Sequence, residues 1–357
     1  AADAAAPSTT GTPRTTAAPN PTPSVVRTRA TLGSGAAGTP QAGPALAAEL
    51  AGVLEAWLAE TGVSGGQAGV LRYGEIQWSG AAGVGGASET LSVGQSFDVA
   101  SITKTYTAAL VFRYAEAGLI DLDAPLPPLA ALPGFPYAGV VTPRQLLTHS
   151  TGLVNYRATP SYLSHGSSVL TPALALGWAG AEPLQFEPGT AQDYSSSNYL
   201  ALGLLLEQVT GLEFTQLVRG DILRPARLAN TSFMPPNANS PNSSTAGVMT
   251  TVDDLLRWGV LALRDHVLIS DAAFAQMTTI EESTAMGGGV MGYCPCTRKR
   301  GRPVWRAIGH GGANTELQYS TADDLVVAVN LNAGIWDRLD EVHELVERLR
   351  RTVAAYG

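Results

Sequence analysis

The chain has 357 residues, 45% of them hydrophobic and only 15% charged, enough for one large domain or two interleaved smaller ones with a sizeable buried core. A formal charge of −8, from 30 acidic and 22 basic residues, argues against a nucleic-acid surface, which needs a net basic footprint or a basic stripe. The longest apolar stretches, Tyr199 to Leu206 and Leu255 to Leu263, are too short for a membrane span, and the second carries Arg257.

Residues 1–43 form a low-complexity arm of Ala, Pro, Thr, Ser and Gly, and the chain starts without an initiator Met. This composition suits a spacer left after an export signal is cleaved, so a secreted or extracytoplasmic protein is expected. The folded domain is predicted to run from residue 44 to residue 357. It opens with a helix that carries Leu46, Leu50, Val53, Leu54, Trp57 and Leu58 on one face and stops at Gly62. Ala68 to Arg72 and Glu75 to Ser79, joined at Tyr73-Gly74, read as a β-hairpin, and Gln95 to Val99 as a further strand. From Ser101 to about Asn230 the pattern is helical or loop-like with frequent Pro. Strand-like runs return at Val304 to Ile308, with Pro303 at the start, at Glu316 to Ser320 and at Leu325 to Leu331. An amphipathic helix bearing Leu339, Val342, Leu345, Val346 and Leu349 closes the chain. This order predicts an α/β fold: an antiparallel sheet drawn from about residues 44–120 and 285–357, flanked by the N- and C-terminal helices, with an all-helical insert over about 121–284.

Three segments carry chemistry. In Ser101-Ile102-Thr103-Lys104, directly after a strand and opening a helix, positions three apart share a face, so Ser101 and Lys104 come within hydrogen-bond reach. A serine hydroxyl needs a base to become a nucleophile, and a buried lysine, whose pKa falls with desolvation, can be that base. Lys104 and Lys299 are the two lysines of the chain, so a sequence that otherwise uses Arg has placed a titratable amine here. The second segment, Glu187 to Tyr199, is turn-rich and contains Tyr194-Ser195-Ser196 ahead of an apolar helix over Leu200 to Val209. The third, Gly309-His310-Gly311-Gly312-Ala313, follows the strand Val304 to Ile308, and its glycines let the backbone approach a ligand closely.

In this order and spacing the three segments resemble the serine penicillin-recognising enzymes: D-alanyl-D-alanine carboxypeptidases, class C β-lactamases and their esterase and peptidase relatives. The segment Thr142 to Leu153 also looks like the family's stretch after the first helices. The resemblance implies a β-lactamase/transpeptidase-like fold with Ser101 as the acylated nucleophile and Lys104 as its base. It makes Tyr194 the tyrosine of the second motif, and His310 with Gly312 the His-x-Gly version of the third. The backbone NH groups of Ser101 and Ala313 would form the oxyanion hole. The family's second motif reads Tyr, a small residue, Asn; here Ser196 holds the third position and Asn198 lies two residues on, and the resemblance makes both, with Gly312, expected substrate-binding residues. An ester is therefore expected to suit the site better than a β-lactam. The implied activity is a serine hydrolase acting through an acyl-enzyme on a D-alanyl peptide, an ester or a related amide, with no cofactor. The alternatives are an acyltransferase, or a catalytically weak penicillin-binding or ligand-sensing module of the same fold. The partner is a small-molecule or peptide substrate, and the motifs leave oligomeric state open.

Other signals read as structural. Gly62-Val63-Ser64-Gly65-Gly66 matches a nucleophile elbow but follows a helix and precedes a strand, the reverse of the required order. Gly287 to Gly292 matches Gly-x-Gly-x-x-Gly but leads into Tyr293-Cys294-Pro295-Cys296, a turn or strand entry, in place of a helix. The thiols Cys294 and Cys296 are read as free or joined by a labile bridge, since one intervening residue would strain a disulfide. His149, His165, His266 and His343 show no metal-ligand spacing, so no metal is expected. Arg298-Lys299-Arg300-Gly301-Arg302 reads as a solvated hairpin tip.

Overall fold

Alternation of side chains across the strands gives this protein's main sheet two apolar faces, and each is covered by helices. A computed structural model describes residues 42–86, 88–278, 294–299, 302–310, 314–332 and 339–356. Helix α1 (Pro44–Thr61) precedes the hairpin β1 (Gly65–Arg72) and β2 (Glu75–Gly83); the two-residue strand β3 (Phe97–Asp98) leads through a tight turn at Ala100–Ile102 into α2 (Thr103–Glu116). The helical middle holds α3 (Pro143–Leu147), α4 (Pro160–Leu163), α5 (Pro172–Gly180), α6 (Ser196–Thr210), α7 (Phe214–Val218) and α8 (Arg224–Ala226). Then come β4 (Ser232–Phe233), β5 (Val248–Thr250), α9 (Val252–Gly259) and α10 (Asp271–Thr278), followed by β6 (Cys294–Lys299), β7 (Arg302–His310), β8 (Asn314–Ser320), β9 (Leu325–Leu331) and α11 (Leu339–Ala355).

The six-stranded sheet has the order β2-β1-β9-β8-β7-β6, and its strand pairs are antiparallel. Pairing of β1 with β9 joins the two ends of the chain, from Gly66 opposite Leu331 to Arg72 opposite Leu325. Ala68, Val70, Val327 and Val329 point to one face, under Leu50, Trp57, Leu345 and Val346 of α1 and α11. Leu71, Val326 and Ala328 point to the other, under α9 and the helical middle. There α9 lies close to the sheet because a Cβ on Gly69 would meet Val252 Cγ1 at 2.6 Å.

The differences from the expected elements have local causes. Both hairpin strands are longer than their apolar cores, reaching Gly65 and Gly83, because small residues there serve close packing: a Cβ on Gly65 would stand 2.6 Å from Val84 N. The region expected to be all-helical also holds β4 and β5, which make a three-stranded sheet with β3; strands of two or three residues are too short to show a period. Pro303 lies inside β7, opposite Arg298 of β6, and Lys299 and Arg302 pair at the ends of these two strands. Helix α6 starts at Ser196, ahead of its apolar run, because Ser195 caps it by accepting the Ser197 N–H at 3.3 Å. The residues Gly287 to Tyr293 lie outside the described set. No described helix is long and apolar enough to cross a membrane.

Candidate active site

The turn that presents Ser101 is held from three sides. Ala100 adopts a left-handed backbone, φ +43°, which costs a non-glycine residue free energy unless its surroundings fix it. Asp98 Oδ1 accepts the Ala100 N–H at 2.7 Å, Val99 N–H donates to Val248 O at 3.0 Å, and Val248 N–H donates to Thr103 Oγ1 at 3.2 Å. The small sheet of β3 and β5 thus anchors the start of α2.

One turn on, Lys104 is 2% exposed. Its Nζ stands 3.1 Å from Ser101 Oγ and donates to Thr245 O at 2.8 Å. Tyr194 Oη lies 2.7 Å from Ser101 Oγ. Ser196, two residues on from Tyr194, is the first residue of α6. Three of the residues singled out in the sequence, Ser101, Lys104 and Tyr194, therefore meet around one oxygen, Ser101 Oγ. Burial depresses the Lys104 pKa, against a smaller opposing effect of Tyr194. Burial alone would raise the Tyr194 phenol, but the charge and hydrogen bond of Lys104, with the hydroxyls of Ser101 and Ser196, bring it below its ordinary value. Amine and phenol are pulled toward each other in acidity, the condition for a shared proton.

Behind the phenol sits His149, buried, with its ring 4.7 Å from that of Tyr194 and 5.2 Å from that of Tyr199. Its Nδ1 accepts the Ser195 N–H at 3.3 Å and lies 3.1 Å from Asn198 Nδ2, so the imidazole proton belongs on Nε2. Burial, with the Lys104 charge adding to it, pushes the His149 pKa down to about 3. Asn198 is fully buried, and its Oδ1 accepts from Thr151 Oγ1 at 2.6 Å. The structure thus corrects its expected place in the substrate site: its amide is consumed in tying the His149–Thr151 segment to α6.

The backbone of His310 ends β7, paired with Asn314 of β8, and β7 packs against the Ala100–Ile102 turn. Gly312 and Ala313 lie outside the described residues. The remaining histidines are spread over the molecule: His165 Nε2 is 2.9 Å from Ser168 O, His266 pairs with Asp271 at 2.8 Å, and His343 with Glu316 at 3.2 Å. Among the described residues no cluster of His, Cys, Asp or Glu could hold a metal. Ser64 lies between α1 and β1, with its hydroxyl 3.3 Å from Asn332 O.

Sequence reasoning missed three contributors. The Thr245 carbonyl has no side-chain signature, and Asp98 acts through a backbone N–H. His149 carried a signal in its place within the Thr142 to Leu153 segment.

A family model described as Beta-lactamase matches residues 50–350 of the chain. Penicillin-binding protein 4* of Bacillus subtilis (strain 168) is 29% identical over 143 residues, which is 40% of this chain and 31% of that relative. The match therefore spans about a third of that relative's length. Among solved structures, a D-stereospecific amidohydrolase from Streptomyces sp. superposes with a TM-score of 0.66 at 25% identity, over 81% of this chain and 94% of that one. The D-amino acid amidase of Ochrobactrum anthropi SV3, in complex with D-phenylalanine, superposes with a TM-score of 0.75 at 18% identity, over 88% of this chain and all of that one, and shares the fold.

Proposed function

We propose, for a chain that belongs to the beta-lactamase family, a serine hydrolase that forms an acyl-enzyme at Ser101 on a peptide, amide or ester of D-alanine or a related D-amino acid. The observation that carries it is the placement of one hydroxyl within hydrogen-bond reach of both a buried lysine amine and a tyrosine phenol, at 3.1 and 2.7 Å. Ser101 Oγ attacks the substrate carbonyl while its proton passes to the Tyr194–Lys104 pair. The tetrahedral oxyanion forms over the start of α2, where the Ser101 backbone N–H and the helix dipole favour negative charge, and Ala313 N–H is the expected second donor. The pair then protonates the leaving amine or alcohol, the C–N or C–O bond breaks, and the acyl-enzyme remains. Water attacks that ester with the same pair as base, which frees the acid and returns the proton to Ser101.

The amidohydrolase likeness supports an acyl group derived from a D-amino acid. Ser196 in place of the family's Asn supports esters as the faster substrates, since a neutral hydrogen bond to an amide carbonyl is worth about 0.5–1.5 kcal/mol.

Incubation with a fluorophosphonate probe, followed by intact mass, should add one phosphonyl group to the parent protein and none to Ser101→Ala. Stoichiometric labelling of Ser101→Ala would overturn the assignment. Acylation without turnover of p-nitrophenyl esters would make the chain a ligand-sensing module.

A further inference from the structure

The tyrosine of the proposed mechanism has no regular element to hold it. Residues 191–195 lie in no helix or strand, yet the Tyr194 phenol stands 2.7 Å from Ser101 Oγ. One residue supplies what the secondary structure does not. His149 follows α3, and its backbone is left-handed, φ +57°, so that its carbonyl and its imidazole both address residues 193–195. The carbonyl accepts the Asp193 N–H at 3.0 Å, and Nδ1 accepts the Ser195 N–H at 3.3 Å. The amides on either side of Tyr194 are thus held by two acceptors of a single buried residue, and its ring stands 4.7 Å from the phenol ring.

His149 is in turn fixed where it stands. Its neighbour Ser150 donates its N–H to Gln145 O at 2.9 Å and accepts the Gly189 N–H at 2.8 Å, which binds the end of α3 to the segment leading to Tyr194. A capping box of Thr142 and Gln145 fastens the start of α3. Asn198 Nδ2 lies 3.1 Å from the same Nδ1, and two N–H groups aimed at one ring nitrogen require a lone pair there. A left-handed residue other than glycine persists where its surroundings over-determine it, and such residues gather at functional sites.

We infer that His149 is a positioning residue for Tyr194: its Nδ1 lone pair and its carbonyl clamp the two flanking amides and so hold the phenol within reach of the Ser101 proton. The inference rests on the proposed function in giving Tyr194 a part in acylation. A residue that acts through the phenol should lose its effect once the phenol is gone, which a double-mutant cycle reads directly.

Acylation of the full chain by p-nitrophenyl acetate at pH 8 is followed by stopped-flow release of p-nitrophenolate, with rates referred to the folded fraction from near-ultraviolet circular dichroism. His149→Phe keeps a ring beside Tyr194 and removes the acceptor. It should lower the saturating acylation rate about 10- to 100-fold, as a displaced reacting group does, and leave the half-saturating ester concentration within about twofold. His149→Asn keeps an acceptor for the Ser195 N–H and should stay within about fivefold of the parent. In the Tyr194→Phe background, His149→Phe should cost no more than about threefold further. If Phe is not accommodated on the left-handed backbone, His149→Ala removes the same acceptor and enters the same cycle.

Losses that multiply in the double variant, a parent-like rate without the acceptor, or a change confined to half-saturation would overturn the inference, as would His149→Asn no faster than His149→Phe. Parent-like acylation by Tyr194→Phe would remove Tyr194 from the mechanism and the inference with it. Multiplied losses beside a slow Tyr194→Phe would remove the inference alone.

Discussion

The two faces of the six-stranded sheet are built from alternate residues of the same strands, yet they do different work. The face under α1 and α11 is closed with Leu, Val and Trp, with Leu50, Trp57, Val329 and Leu345 fully buried. The face toward the helical middle is apolar in its centre, but at the edge nearest the nucleophile it carries Gln67, Thr315 and Asn330. There Thr315 Oγ1 donates to Asn330 Oδ1 at 2.9 Å, and Asn330 Nδ2 to Gln67 Oε1 at 3.3 Å. Around the nucleophile Lys104, Asn198 and His149 are also buried. Burying such groups is costly unless each finds a partner, so the site side depends on hydrogen-bond geometry where the terminal-helix side depends on volume.

Substitutions on the site side should change chemistry more than stability, and those on the terminal-helix side the reverse. The largest effect is expected at Lys104. Lys104→Arg keeps a cation but cannot supply a neutral amine at any accessible pH, so stopped-flow acylation by an activated ester should slow by about 10⁴-fold or more, the top of the range for an acid–base group. A rate near the parent's would make Lys104 an electrostatic support and leave Tyr194 as the base.

Tyr194→Phe comes next. It removes the oxygen 2.7 Å from Ser101 Oγ and keeps the ring against His149, so kcat/KM should fall about 10²- to 10³-fold while the melting temperature holds. A variant that unfolds at the parent's activity per folded molecule would assign Tyr194 to packing.

Leu345→Ala probes the opposite face. The side chain is fully buried against the sheet, and its truncation should cost about 2–5 kcal/mol of unfolding free energy. Below the transition, kcat should stay within about twofold of the parent. A large loss of kcat in the folded variant would show that the two faces are mechanically coupled.

How much of this division was legible beforehand depends on what kind of group carries it. The terminal-helix face is legible in the chain: the stripes of α1 and α11 and the continuous apolar run of β9, buried on both faces, are visible there. Ser101 and Lys104 are legible because a helix converts a spacing of three into contact, and Tyr194 because its motif stands in order between the other two. Thr245 and Asp98 are not legible, since one contributes a carbonyl and the other braces a left-handed Ala100 through a backbone N–H. Asn198 misleads: the side chain suited to a ligand is turned inward, because Thr151 and His149 use its amide.

The smallest and most specific effect concerns His149. Its pKa is pushed from 6.5 to about 3 in the folded protein, whereas the unfolded chain takes up the proton near the ordinary value. At pH above about 6.5 both states are neutral and the residue contributes nothing to pH dependence. Below it the unfolded state holds one more proton, so stability falls as acid is added, by up to about 1.4 kcal/mol per pH unit until the folded state also titrates. Asn is the replacement to use: it tolerates the left-handed backbone at this position, φ +57°, and its Oδ1 can accept the Ser195 N–H. His149→Asn should be less stable than the parent at pH 8, because the ring contacts with Tyr194 and Tyr199 are lost. Its urea midpoint should also decline less steeply than the parent's from pH 6.5 to 4.5, so the two stability curves converge on acidification. Parallel curves over that range would mean that His149 titrates alike in both states, and the neutral imidazole behind Tyr194 would have to be given up.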